Sequence, residues 1–148
     1  MTAAPARVLI AAPALVIRQL RAALPAELEV VSAATREDAV KRLSEQAMDL
    51  VVVCYIFDEM RPYALIQDVR ASEQHRTPII LIRAVTTPWG ATDEADVRRS
   101  YEDLGVDAFL NFSNVANERG LDAALQEFSL LAVSLLGGSG AEPTGIPT

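Results

Sequence analysis

At 148 residues, 51% of them hydrophobic and 22% charged, the chain is sized for one domain around a single core and is too apolar for intrinsic disorder. Thirteen basic against twenty acidic side chains leave a formal charge of −7, which argues against non-specific nucleic-acid binding through a basic face. One cysteine, Cys54, and one histidine, His75, exclude an internal disulfide, a cysteine-clustered zinc site and a multi-histidine metal site. No apolar stretch is long enough to span a membrane. Val8–Ile17 contains Pro13 and is ended by Arg18, and Phe128–Leu136 is only nine residues. Met1–Arg7 lacks the basic lead-in of a secretory signal, so a cytoplasmic location is the expectation.

In chain order, short β-branched runs alternate with longer segments of helical period. Arg7–Ala11 is an unbroken apolar run, the pattern of a strand covered on both faces. Ala14–Leu24 places Ile17, Leu20 and Leu24 at helical spacing, and Pro25 stops it. Leu28–Ser32 is a second, shorter strand. Thr35 then caps a helix to about Gln46, with Asp38 three residues on completing a variant capping box. Asp49–Cys54 is the strongest strand and is expected at the centre of the sheet. The loop Phe57–Arg61 leads into a helix over about Tyr63–Ser72, and Pro78–Ile82 is a fourth strand opened by a proline. After a long loop, Asp93–Leu104 is helical and stops at Gly105. Asp107–Asn111 is a fifth strand and Gly120–Leu136 a last helix. Residues 1–136 read as one domain, and Gly137–Thr148, rich in Gly, Pro, Ser and Thr, as a disordered tail.

Five βα units predict an α/β fold, a doubly wound parallel sheet with right-handed crossovers and helices on both faces. Ligands of such sheets collect at the carboxyl ends of the strands. Here those ends are Ala11–Pro13, Cys54, Arg83–Ala84 and Asn111–Ser113.

Asp49-Leu-Val-Val-Val-Cys-Tyr-Ile-Phe-Asp-Glu-Met60 resembles the third strand and following loop of response-regulator receiver domains, with Phe57 and Met60 at the two apolar loop positions. Pro78-Ile-Ile-Leu-Ile-Arg-Ala84 resembles the fourth strand of that family, Gly105-Val-Asp-Ala-Phe-Leu110 the fifth and Arg7-Val-Leu-Ile the first. The resemblance runs from about Arg7 to Leu136. It implies a flavodoxin-like (βα)5 fold of strand order 2-1-3-4-5 and a place in two-component signalling.

Departures from the family's pattern carry the functional expectation. Receivers hold Mg²⁺ with an acidic pair after the first strand and with the phosphoacceptor aspartate. The matching positions here are Ala12, Pro13 and Cys54, none of which offers the oxygen ligand that this hard cation takes. Arg83 stands where a Ser or Thr reads the phosphoryl group, and Phe112 where a lysine pairs with it. The expectation is a pseudo-receiver with no catalytic residues, no metal and no cofactor. Asp58 and Glu59 lie nearby, but without metal ligands a carboxylate has nothing to offset the phosphoryl charge.

Several residues carry two readings. Cys54 is a small apolar filler or, with Arg83 lowering its pKa, a reactive thiol. Arg83 itself pairs with Asp58 or Glu59, or lines an anion pocket. His75 reads as a surface loop residue. Trp89, in Val85-Thr-Thr-Pro-Trp-Gly90, is a lid over the degenerate pocket or an anchor for a partner. Phe109 matches the aromatic switch of receivers, or only packs. In the last helix, Leu121, Ala124, Leu125, Phe128, Leu131, Ala132 and Leu135 form a core stripe, while Leu130 and Val133 point roughly opposite to Phe128. The two outward residues suggest an interface.

The expected function is therefore non-enzymatic: protein–protein interaction in bacterial signalling or transcriptional regulation, through the fourth helix, fifth strand and last helix (the family's α4-β5-α5 surface). The partner is an unidentified protein, with a homodimer as one form, and neither nucleic acid nor membrane is involved. The alternative is a small-molecule or redox sensor built from Cys54, Arg83 and the Trp89 loop.

Overall fold

The computed structural model describes the backbone of residues 5–55, 62–83 and 91–140, and the side chains of all of these except 91–94 and 138–140. The strands are β1 (Arg7–Ala11), β2 (Glu29–Ala33), β3 (Leu50–Cys54), β4 (Ile79–Ile82) and β5 (Ala108–Leu110). Among the described residues the helices are α1 (Ala14–Ala23), α2 (Arg36–Glu45), α3 (Pro62–Ala71), α4 (Ala91–Leu104), α5 (Phe112–Arg119) and α6 (Leu121–Gly140). The five strands form one parallel sheet in the order β2-β1-β3-β4-β5. That is the predicted order.

Burial explains why the unbroken apolar runs are strands. Every residue of β3 and β4 is fully buried, as expected of central strands with helices on both faces, whereas edge strand β2 is only partly covered until Ala33. Right-handed crossovers send α1 to one face, because β1 to β2 runs toward one edge of the sheet. They send α2, α3 and α4 to the other, because β2 to β5 progresses the opposite way. Helix α6 packs on α1, and α2 packs on α3. The first face buries Val16 and Leu20 with Ala124, Phe128 and Ala132; the second buries Ala39 and Leu43 with Leu65, Ile66 and Val69.

The Thr35 cap is present: its Oγ1 accepts a hydrogen bond from the Asp38 N–H at 3.1 Å. At the amino ends of the strands two long polar side chains tie elements together. Gln74 donates through Nε2 to the carbonyls of Leu43 (2.6 Å) and Gln46 (2.8 Å), and its Oε1 accepts from the Met48 N–H at 2.6 Å. Arg70 does the same for the β4 and β5 side, bonding the carbonyls of His75, Thr77 and Gly105 and the Asp107 carboxylate. His75 is exposed.

Three differences from the sequence reading stand out. Residues 112–119, which carry no expected element between the fifth strand and the last helix, form α5. Asn111 caps it, its Oδ1 accepting from the Asn114 N–H at 3.3 Å, and Gly120 at φ +94° ends it. Helix α6 also continues to Gly140, so Gly137–Gly140 of the expected tail are helical. A helix already nucleated over many residues propagates cheaply, which offsets the poor propensity of glycine. Residues 141–148 lie outside the described residues. Leu121, placed by the sequence in the core stripe, opens α6 as an exposed residue, and the fully buried stripe is Ala124, Phe128 and Ala132.

Candidate functional site

Pairing aligns the carboxyl ends of β1, β3, β4 and β5 at one level. Ala11 is opposite Val53, Cys54 opposite Ile82, and Ile82 opposite Leu110. One residue further on lie Ala12, Arg83 and Asn111. Three backbone bonds close this end: Tyr55 N–H to Ile82 O at 2.7 Å, Arg83 N–H to Leu110 O at 2.9 Å and Ser113 N–H to Arg83 O at 3.0 Å. The structure thus places Ala12, Cys54, Arg83 and Phe112 at this one end of the sheet, with Pro13 at the N-cap of α1.

The pocket is filled from within. Ala12, Cys54 and Arg83 have no exposed surface, and Phe112 is buried as the first residue of α5. The Arg83 guanidinium reaches across to β5 and donates from Nη1 to Asn111 Oδ1 at 3.5 Å. The same oxygen caps α5. One amide oxygen therefore links the end of β4 to the helix that the sequence reading missed. Full burial of Cys54 matches the filler reading, since a reactive thiol needs access. Side chains at Ala12, Pro13 and Cys54 offer no oxygen donor, so these three do not present the oxygen ligands that a Mg²⁺ ion takes. Among the described residues no group of three or more His, Cys, Asp or Glu side chains is placed to hold a metal. Phe57, Asp58, Glu59, Met60 and Trp89 lie outside the described residues.

Phe109 is buried, and the Arg98 guanidinium lies 5.0 Å from its ring centroid, within cation–π range. The two residues border a cavity of about 300 Å³ whose other walls include Asn111, Asn114, Glu118 and Glu127. Glu127 in turn pairs with Arg119. On α6, Leu130 and Val133 are 65% and 46% exposed, against complete burial of Phe128. The predicted division of that helix is present.

Sequence reasoning missed an aromatic cluster. All three tyrosines of the chain converge, with the Tyr101 ring 6.2 Å from both Tyr55 and Tyr63 at interplanar angles of 75° and 68°. No spacing signal could reveal it, because the residues come from just after β3, the start of α3 and the last turn of α4. Burial pushes the Tyr101 phenol up to about 12, and the neighbouring Tyr55 and Tyr63 add to the shift. The unfolded chain releases that proton near the ordinary value of 10.0. Its contribution to stability is therefore complete below pH 10 and is lost as pH rises toward 12. Urea unfolding across that window is expected to show this decline in the native protein and a weaker one in Tyr101→Phe. An identical decline in the variant would remove Tyr101 as its source.

No protein-family model and no curated protein matches the sequence. Solved structures do match. A response regulator of Hahella chejuensis superposes with a TM-score of 0.72 at 11% identity, covering 93% of this chain and 99% of that one. The signal receiver domain of an HD domain-containing protein of Pseudomonas fluorescens Pf-5 gives 0.67 at 17%, covering 95% and 100%. A chemotaxis response regulator of Vibrio cholerae gives 0.65 at 18%, covering 89% and 98%. The chain has the receiver fold. Identity this low with near-complete coverage is what a shared burial pattern produces when the side chains filling it have diverged. On this receiver fold, the strand ends hold Ala12, Cys54, Arg83 and Phe112, an assembly closed by packing and by the Arg83–Asn111 bond.

Proposed function

We propose that this receiver-fold domain acts in bacterial two-component signalling as a pseudo-receiver, by contact with a protein partner and without phosphoryl transfer or other catalysis. One observation carries the reading: a guanidinium with no exposed surface, Arg83, fills the end of β4 and bonds Asn111, where a receiver needs room for a phosphoryl group. Phosphoryl transfer depends on positioning and on charge stabilisation by a metal. Neither the Ala12 nor the Pro13 side chain supplies a metal ligand. The test is incubation with acetyl phosphate, or with beryllofluoride, in the presence of Mg²⁺. No mass adduct and no saturable change in Trp89 fluorescence are expected. A Mg²⁺-dependent adduct or a saturable response overturns the reading.

The contact surface in this proposal is the α4–β5–α6 side, where Leu130 and Val133 are exposed and the Arg98–Phe109 pair borders a cavity. A cytoplasmic protein, or a second copy of this chain, is the partner proposed for it. The sensor alternative gains nothing from Cys54, whose thiol is buried.

A further inference from the structure

A groove of about 530 Å³ lies between α2 and α3, away from the carboxyl ends of the strands. Val40, Leu43 and Ala47 supply its apolar lining, and Glu45, Asp68 and Glu73 its charge. Among the described residues no lysine or arginine lines it. Asp68 is held by Arg36 in a two-pronged ion pair at 2.6 and 3.0 Å, whereas Glu45 and Glu73 are exposed and unpaired among the described residues. The carboxyl end of α2 opens into the same groove, and a helix carboxyl end favours positive charge. Val40 remains 40% exposed there, a valine that the fold itself does not cover.

The opposite face of the sheet carries the converse. Helix α1, Ala-Leu-Val-Ile-Arg-Gln-Leu-Arg-Ala-Ala, contains no acidic residue. It buries Val16 and Leu20 and turns Leu15, Arg18 and Ala22 outward on one stripe, flanked by exposed Arg21. Leu15 is 61% exposed. An apolar stripe with two arginines thus stands on one face, and an apolar groove with two unpaired glutamates on the other.

We propose that the α2–α3 groove receives the outer face of α1 from a second copy of this chain, Arg18 and Arg21 meeting Glu45 and Glu73 while Leu15 covers Val40. Because α1 and the groove lie on opposite faces of one sheet, a chain cannot satisfy its own groove. Two copies leave one groove and one α1 unused. The contact is heterologous, and it grows into open chains or rings instead of closing as a symmetric dimer. Exposed ion pairs add little each, so the assembly is weak and concentration-dependent. The −7 net charge opposes it at long range, which leaves local complementarity as its source.

The contact is independent of the α4–β5–α6 surface, and sedimentation velocity in a Leu130→Ser/Val133→Ser background isolates it. In that background the average mass is expected to rise past a dimer as protein approaches about millimolar, the regime of a weak contact. Arg18→Glu/Arg21→Glu and Glu45→Arg/Glu73→Arg, each added separately, are expected to keep the protein monomeric, with unchanged far-UV circular dichroism confirming that each folds. Mixed in equal amounts, the two reversed proteins regain complementary faces and assemble again. A monomer at all concentrations before charge reversal, a species that stops at a dimer, or a mixture that stays monomeric overturns the proposal.

Discussion

Replacing Arg70 by methionine is expected to destabilise the domain by about 3–4 kcal/mol, a large share of the roughly 5–15 kcal/mol that holds a domain of this size together. The guanidinium makes five hydrogen bonds, to the carbonyls of His75 and Thr77, twice to that of Gly105, and to the Asp107 carboxylate at 3.0 Å. Asp107 also accepts from the Ile79 N–H at 2.8 Å, which ties the turn before β5 to the first residue of β4. Methionine keeps the stem but leaves those carbonyls without the Arg70 donors and the Asp107 carboxylate without its cation, and unpaired polar groups cost more than a lost bond. Gly105 belongs to the same device. Its φ of +103° is a left-handed conformation, and a Cβ there would sit 2.7 Å from Arg70 Nε. Urea unfolding measures the loss. A cost below about 1 kcal/mol, the scale of an exposed ion pair, would mean that Arg70 does not organise this end of the sheet.

Phe128→Ala is expected to cost about 3–5 kcal/mol, because the ring has no exposed surface and its removal leaves a cavity between α6, α1 and the sheet. Leu130→Ser, two residues on, is expected to change stability by no more than about 0.5 kcal/mol, since that side chain is 65% exposed. The pair of measurements separates the two faces of one apolar helix. Comparable losses at both positions would show that Leu130 is covered in the protein in solution. Gel filtration of the Leu130→Ser/Val133→Ser protein then reads any association through that face, which unfolding cannot report.

Much of the architecture was legible because it follows from local periodicity. Unbroken runs such as Leu50–Cys54 and Ile79–Ile82 have no polar residue to face water, so they read as central strands, and both are buried throughout. The Thr35 cap was legible for the same reason, its partner lying three residues away. Helix α5 was not legible. Phe-Ser-Asn-Val-Ala-Asn-Glu-Arg has a weak apolar stripe, and its one local signal, Asn111 as N-cap, reads equally well as a strand end. Of the candidate site, the identities at Ala12, Cys54, Arg83 and Phe112 were plain from the sequence. That Arg83 is completely buried and bridges to the cap of α5 was not, because a flexible arginine at a strand end reads equally well as pairing with Asp58 or Glu59 or as lining an anion pocket.

By itself the sequence determined an acidic chain of alternating strands and helices, the level at which its strand ends meet, and the absence of a carboxylate at Ala12, Pro13 and Cys54. These follow from period, composition and order along the chain. Only the tertiary structure decided where the long polar side chains go. The ties of Arg70 to Gly105 and Asp107 and of Gln74 to Leu43, the Arg83–Asn111 bond and the meeting of Tyr55 and Tyr63 with Tyr101 each join segments far apart in the chain. Side-chain reach across packed elements carries no periodic trace in a sequence. The acidity is divided in the same way: twenty carboxylates are a matter of composition, but the meeting of Glu45 and Glu73 in one groove, opposite the arginines of α1, is a matter of folding.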